Sequence, residues 1–150
     1  MVTKENITGF LSQKNIAVVG VSRSGKKFGN SVYKELKAKG YKTFAVNPNA
    51  AEINGESCYS QILSIKEKVD AAVVVVPKNE SEKVVRNAVT AGVRNIWLQQ
   101  GSETDEAINY CIQNNVNVVY NECILMFAEP TAFFHKAHRW VNGALGKLPK

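Results

Sequence analysis

Short apolar runs alternate along this chain with longer stretches in which apolar residues recur every three or four positions. The runs lie at 16–21 (Ile16-Ala17-Val18-Val19-Gly20-Val21), 43–46, 71–76, 95–98 and 116–120. Those at 16–21 and 71–76 are continuously apolar, the pattern of a strand covered on both faces. Helical spacing follows at 29–39 with Val32, Tyr33 and Leu36 inward, at 79–91 with Val84, Val85, Ala88 and Val89, and at 104–114 with Ala107, Ile108, Cys111 and Ile112. Gly40 and Gly92 close the first two helices, and Pro77 ends the third strand because it lacks the N–H a continuing ladder needs. An amphipathic helix over 3–11 opens the chain, with Thr3 and Asn6 spaced as a cap. The segment 47–59 reads as a loop, followed by a short helical piece at 62–65. Pro130 starts one more helix at 131–145, after which 146–150 frays.

Strands of this length alternating with helices predict an α/β, Rossmann-like three-layer fold. Its central parallel sheet has about five strands in the order 3-2-1-4-5, joined by right-handed crossovers. A length of 150 residues suits a single domain over 1–150 and leaves no room for a second substrate domain. No apolar stretch reaches the roughly 18 residues that span a bilayer, so a soluble, cytoplasmic protein with no membrane partner is expected. Cys58, Cys111 and Cys123 are odd in number and scattered, which indicates reduced thiols rather than a disulfide framework. Of these, Cys58 in its loop is the expected exposed thiol, and Cys111 the buried one.

The formal charge of +6 favours an anionic partner, and its distribution is more informative than its sum. Between 23 and 42 the chain carries Arg23, Lys26, Lys27, Lys34, Lys37, Lys39 and Lys42 against the single acid Glu35. Directly after the first strand, Gly20, Val21, Ser22, Arg23, Ser24, Gly25, Lys26, Lys27, Phe28, Gly29 and Asn30 form a small-residue, basic turn leading into a helix. Such a turn lets backbone N–H groups approach a phosphate, and the helix N-terminus adds unpaired donors and a favourable dipole. It is neither of the familiar glycine motifs: Lys26 is followed by Lys27 rather than Ser or Thr, and Ser22 stands where GxGxxG has its second glycine. At the end of strand two, Asn47-Pro48-Asn49 replaces the acid that would hold the ribose hydroxyls of NAD. With so many lysines nearby, a ligand bearing an additional ribose phosphate is favoured, which leaves coenzyme A and NADP.

These residues resemble the small bacterial CoA-binding domain proteins, akin to the N-terminal CoA-binding domain of the succinyl-CoA synthetase alpha subunit. The resemblance is carried by 16–22, by Gly40-Tyr41 with Val46-Asn47-Pro48, and by Gly55, Tyr59 and Val69-Asp70. It continues through Trp97-Leu98-Gln99-Gln100-Gly101, similar to the family's WxQxG, and closes at 118–123. It implies coenzyme A or an acyl-CoA as ligand. Gly20, Val21, Ser22, Arg23, Ser24, Lys26 and Asn30 would hold the phosphates, and Asn47 and Pro48 the adenosine side. Val76 and Pro77 would lie on the adenine or pantetheine approach, with Gln99, Gly101, Asn121 and Cys123 on the floor of the cleft.

No catalytic dyad or metal set emerges, so a binding protein rather than an enzyme is expected. The alternatives are an NADP-binding oxidoreductase module or a protein or nucleic-acid interaction module. His135 and His138 sit in the 131–145 helix, where they suit packing or the surface better than catalysis. The aromatic and basic run at 133–140 fits packing inside the chain, or contact with a second copy or a partner enzyme, better than nucleic acid. Trp97 reads as core.

Overall fold

The computed structural model describes residues 2–127. The expected 131–145 helix, with His135 and His138, lies outside the described residues. Seven strands form one sheet: β1 (Asn15–Val19), β2 (Lys42–Val46), β3 (Glu52–Ile53), β4 (Glu56–Tyr59), β5 (Ala71–Val74), β6 (Asn95–Gln99) and β7 (Asn117–Glu122). Their order is β3-β4-β2-β1-β5-β6-β7, with every pair parallel except the β3–β4 hairpin.

The four helices are α1 (Lys4–Leu11), α2 (Phe28–Ala38), α3 (Lys78–Thr90) and α4 (Asp105–Gln113). Because side chains alternate along a strand, each central strand feeds two cores. Ile16, Val18, Val73 and Trp97 point to the layer built by α1 and α2, where they meet Phe10, Val32 and Leu36. Ala17, Val19, Val74 and Leu98 point to the opposite layer and meet Val85, Ala88, Ala107 and Cys111 of α3 and α4. This is the three-layer Rossmann-like architecture expected from the alternation. The cap on α1 is complete: Thr3 accepts from the Asn6 N–H, and Asn6 Oδ1 accepts from the Thr3 N–H. Ile112 turns outward instead of lining the core.

Two strands, β3 and β4, were hidden in the expected 47–59 loop, and the second changes the order. Glu56–Tyr59 pairs in parallel with β2, Ala45 opposite Cys58, and takes the outer place that the numbering had given to the 71–76 strand. The latter lies beside β1 instead, with Ile16 opposite Ala71 and Val19 opposite Val74. The order 3-2-1-4-5 is therefore met only when Glu56–Tyr59 counts as the third strand. The reversal of strand order falls between β1 and Ala71–Val74, not between β1 and the 95–98 strand. The physical reason is that β4 is an outer strand with one buried side chain, Cys58, so no apolar run marks it.

Among the described residues, no helix is long and apolar enough to cross a membrane.

Candidate functional site

All the parallel strands end on the same edge, so the loops after β1, β2, β5, β6 and β7 gather there. The first is the tightest. Gly20 has φ +119°, and a Cβ on it would overlap the Val75 carbonyl oxygen and lie 2.9 Å from the carbonyl carbon. Gly29, in the first turn of α2, has the same relation to Gly20: its Cβ would stand 2.7 Å from the Gly20 carbonyl carbon. Two glycines thus let α2 start directly against the end of β1, with the helix N-terminus on the strand edge.

Asn30, only 4% exposed, clamps the loop. Its Oδ1 accepts from the Ser22 N–H and its Nδ2 donates to the Ser22 carbonyl, both at 2.9 Å. The outer turn holds itself: Ser22 Oγ accepts from the Ser24 N–H, Ser24 Oγ accepts from the Lys26 N–H, and Gly25 N–H donates to the Ser22 carbonyl. Asn47 braces it from the next strand, donating Nδ2 to the Val21 carbonyl at 2.7 Å while its Oδ1 receives the Asn49 N–H. Asn30 and Asn47 therefore shape the loop with both ends of their amides. Val21 is fully buried and offers backbone only, whereas Arg23, Ser24 and Lys26 are exposed.

The helix that this loop delivers has an open N-terminus. Its N-cap position, Lys27, makes no side-chain capping bond, and the first turn contains no acidic residue. Ordinarily Ser, Thr, Asp or Asn satisfies those N–H groups and an acid complements the dipole. Here Lys27 stands at the N-cap and Phe28, Gly29 and Asn30 fill the first turn, and among the described residues Arg23, Lys26 and Lys27 form no ion pair. A positive helix end flanked by unpaired cations is an arrangement that an anion stabilises.

Across the edge, Val76 and Ser102 are locked together: the Val76 N–H donates to Ser102 Oγ at 3.0 Å, and that hydroxyl donates to the Val76 carbonyl at 2.7 Å. Ser81 on α3 bonds the Ser102 carbonyl. Pro77, exposed, is the N-cap of α3. Gln99 is 2% exposed, and its Oε1 accepts the Ile124 N–H at 3.1 Å, which makes it a buried tie between the ends of β6 and β7. Gly101 is exposed, with its N–H on Glu103 Oε2. Asn121 sits at φ +61° where the β6–β7 register shifts, and the Trp97 indole N–H holds the Glu122 carbonyl at 3.0 Å. Burial raises the Glu122 carboxyl above the ordinary glutamate range. Pro48 stands exposed at the turn after β2.

The thiols differ from expectation in one respect. Cys58 is buried at 7% exposure because it faces the core from β4, and burial raises its pKa. Burial pushes Cys111 up to about 12. Cys123, half-buried at the strand edge, is the accessible one. Brief iodoacetamide treatment of the native protein at pH 8, read by peptide mapping, is expected to label Cys123 first, Cys58 slowly and Cys111 last. Equal labelling of Cys58 and Cys123 would contradict the placement of β4.

Sequence reasoning missed a cleft of about 420 Å³ between α2 and the β3–β4 hairpin. Of the expected site residues, only Asn30 lines this cleft, beside Gly25. One wall carries Asn30, Tyr33, Lys34 and Lys37, whose spacing does mark a single helix face. The other wall is the hairpin taken for a loop.

The sheet and its strand-edge loop define a Rossmann-like α/β domain. More particularly, the chain belongs to the CoA-binding domain family, whose model matches residues 14–129. It is 30% identical over 71% of its length to an ADP-forming acetate–CoA ligase of Methanocaldococcus jannaschii, of which it covers 15%. It is 34% identical over 59% of its length to the alpha subunit of the ADP-forming acetate–CoA ligase II of Pyrococcus furiosus, covering 20% of that protein. The chain thus spans a fifth or less of these curated relatives. A solved structure of a conserved hypothetical protein from Pyrococcus furiosus superimposes with a TM-score of 0.70 at 35% identity, over 75% of this chain and 97% of that one.

Proposed function

We propose that this protein binds coenzyme A or an acyl-CoA as a binding module rather than as a catalyst, in the cytoplasm. The observation that carries the reading is the junction of β1 and α2: an uncapped helix N-terminus without first-turn acids, brought against the strand end by Gly20 and Gly29 and flanked by unpaired Arg23 and Lys26. In this reading the pyrophosphate lies against the first N–H groups of α2, with the Ser22 and Ser24 hydroxyls and the two cations around it. The adenosine lies beside Asn47 and Pro48. The pantetheine runs past Val76 and Pro77 toward Gln99, Gly101, Asn121 and Cys123. Membership of the CoA-binding domain family supports the choice of ligand. Likeness to the acetate–CoA ligases supports a role in presenting an acyl-CoA to a partner enzyme.

Calorimetric titration with CoA, dephospho-CoA and NADP tests the reading. One-to-one CoA binding well above the NADP signal is the expected result. NADP heat without CoA heat would transfer the site to a nicotinamide ligand, which the absence of an acid at Asn47-Pro48-Asn49 also suits. The double variant R23Q/K26Q is expected to weaken CoA and dephospho-CoA equally, by roughly tenfold, because charge-assisted hydrogen bonds to the pyrophosphate are common to both. No loss for either ligand would remove Arg23 and Lys26 from the site.

A further inference from the structure

We infer that the cleft between α2 and the β3–β4 hairpin receives the ribose phosphate of the nucleotide, with Lys34 as its principal cation and Lys37 as its second. The inference rests on the CoA reading above and assigns a different part of the ligand from the β1–α2 loop. The cleft holds about 420 Å³, within the range of small-molecule sites, and it opens at Gly25 and Asn30, where the phosphate loop ends. Its helical wall continues from Asn30 through Tyr33 and Lys34 to Lys37, one face of α2. Long helical side chains lean back toward the helix N-terminus, so Lys34, one turn beyond Asn30, leans toward the end of the cleft that adjoins the loop.

The charges in the cleft are unequal in availability. Glu56 is its one acid, and both its carboxylate oxygens are engaged: Tyr33 donates its hydroxyl to Oε1 at 2.7 Å, and Lys37 is ion-paired to Oε2. That pairing neutralises the carboxylate that would otherwise repel a phosphate. It also ties the hairpin to the helix at the outer wall of the cleft. Lys34 forms no ion pair among the described residues. One uncommitted ammonium, a second ammonium held beside it and the nearby positive end of α2 make the cleft cationic, and the buried Ile53 supplies an apolar surface on the hairpin side. The chemical class that matches is a ribose carrying a phosphomonoester, attached to a pyrophosphate seated in the adjoining loop. Coenzyme A has this group and dephospho-CoA lacks it.

Titrations of the full chain and its Lys34→Gln and Lys34→Arg variants with CoA and dephospho-CoA test the inference. The unaltered protein is expected to bind CoA at least about tenfold more tightly than dephospho-CoA, as loss of a charge-assisted contact predicts. Lys34→Gln should abolish most of that preference while leaving dephospho-CoA affinity unchanged, and Lys34→Arg should restore it. Lys34 is exposed, and an unchanged melting temperature would verify that the Gln variant folds. Equal binding of the two ligands by the unaltered protein, or equal loss of both in Lys34→Gln, would overturn the cleft assignment while leaving CoA binding in place. Failure of both ligands to bind the unaltered protein would overturn the CoA reading itself, and this inference with it.

Discussion

Gly20→Ala is expected to lower the melting temperature by about 10 °C, the equivalent of roughly 4 kcal/mol for a chain of this size. Two costs combine. Gly20 lies at φ +119°, a conformation that strains any L side chain by about 1–3 kcal/mol. Its Cβ would also overlap the Val75 carbonyl, and Val75 is backbone held in place by its N–H bond to the Val19 carbonyl. A flexible side chain would move aside, but a strand end in a parallel sheet has to separate from its neighbour, at a further cost of about 1–3 kcal/mol. Gly25→Ala supplies the internal control. Gly25 also has a positive φ, +74°, but nothing lies within 4 Å of a Cβ there, so only the conformational cost of about 1 kcal/mol remains. Circular-dichroism melts of the two variants would separate strain from overlap. Equal shifts would mean that β1 and β5 do not approach at Val75 as described.

The second large effect belongs to Trp97. It is fully buried, meets the edge of Phe10 with ring centroids 5.3 Å apart, packs against Phe127 at 6.0 Å, and holds the Glu122 carbonyl through its indole N–H. Trp97→Ala removes all of these and leaves a cavity between the sheet and α1, a loss of about 3–5 kcal/mol. Trp97→Phe keeps most of the apolar contact but drops the hydrogen bond. It is expected to cost about 1–2 kcal/mol, including the penalty of leaving the Glu122 carbonyl short of a donor. Urea denaturation measures both: the midpoint should fall in that ratio while the slope stays constant. Because Glu122 follows Asn121 at the register shift, Trp97→Phe is also expected to loosen the β7 end of the site. Loss of CoA affinity larger than the stability loss would reveal that coupling.

The site was partly legible from the chain alone. A small-residue, basic turn after an apolar strand is a local feature, and it marked 20–30 as the candidate phosphate loop. Which side chains in that turn face a ligand was not local. Asn30 and Asn47 look like free donors in sequence, yet each amide is committed to loop backbone, Asn30 to Ser22 and Asn47 to Val21, 26 residues away. Gln99 likewise appears as a polar residue at a strand end and proves to be a buried tie to Ile124. The hairpin had one readable cue, since Asn54-Gly55 is a common two-residue turn between strands. Both residues have positive φ there, +52° and +81°. The flanking strands are too short and too exposed to support that cue with an apolar pattern.

Periodicity along the chain decided the α/β class, the strands buried on both faces, the four described helices and the Thr3 cap, because each depends on residues within a turn or two of one another. Tertiary structure alone decided that Glu56–Tyr59 lies outside β2, that Ala71–Val74 therefore lies beside β1, that Cys58 is buried, and that α2 and the hairpin enclose a cleft. Those outcomes depend on which distant backbones pair and how closely they approach, and outer strands with one buried side chain leave too little hydrophobic patterning to specify it.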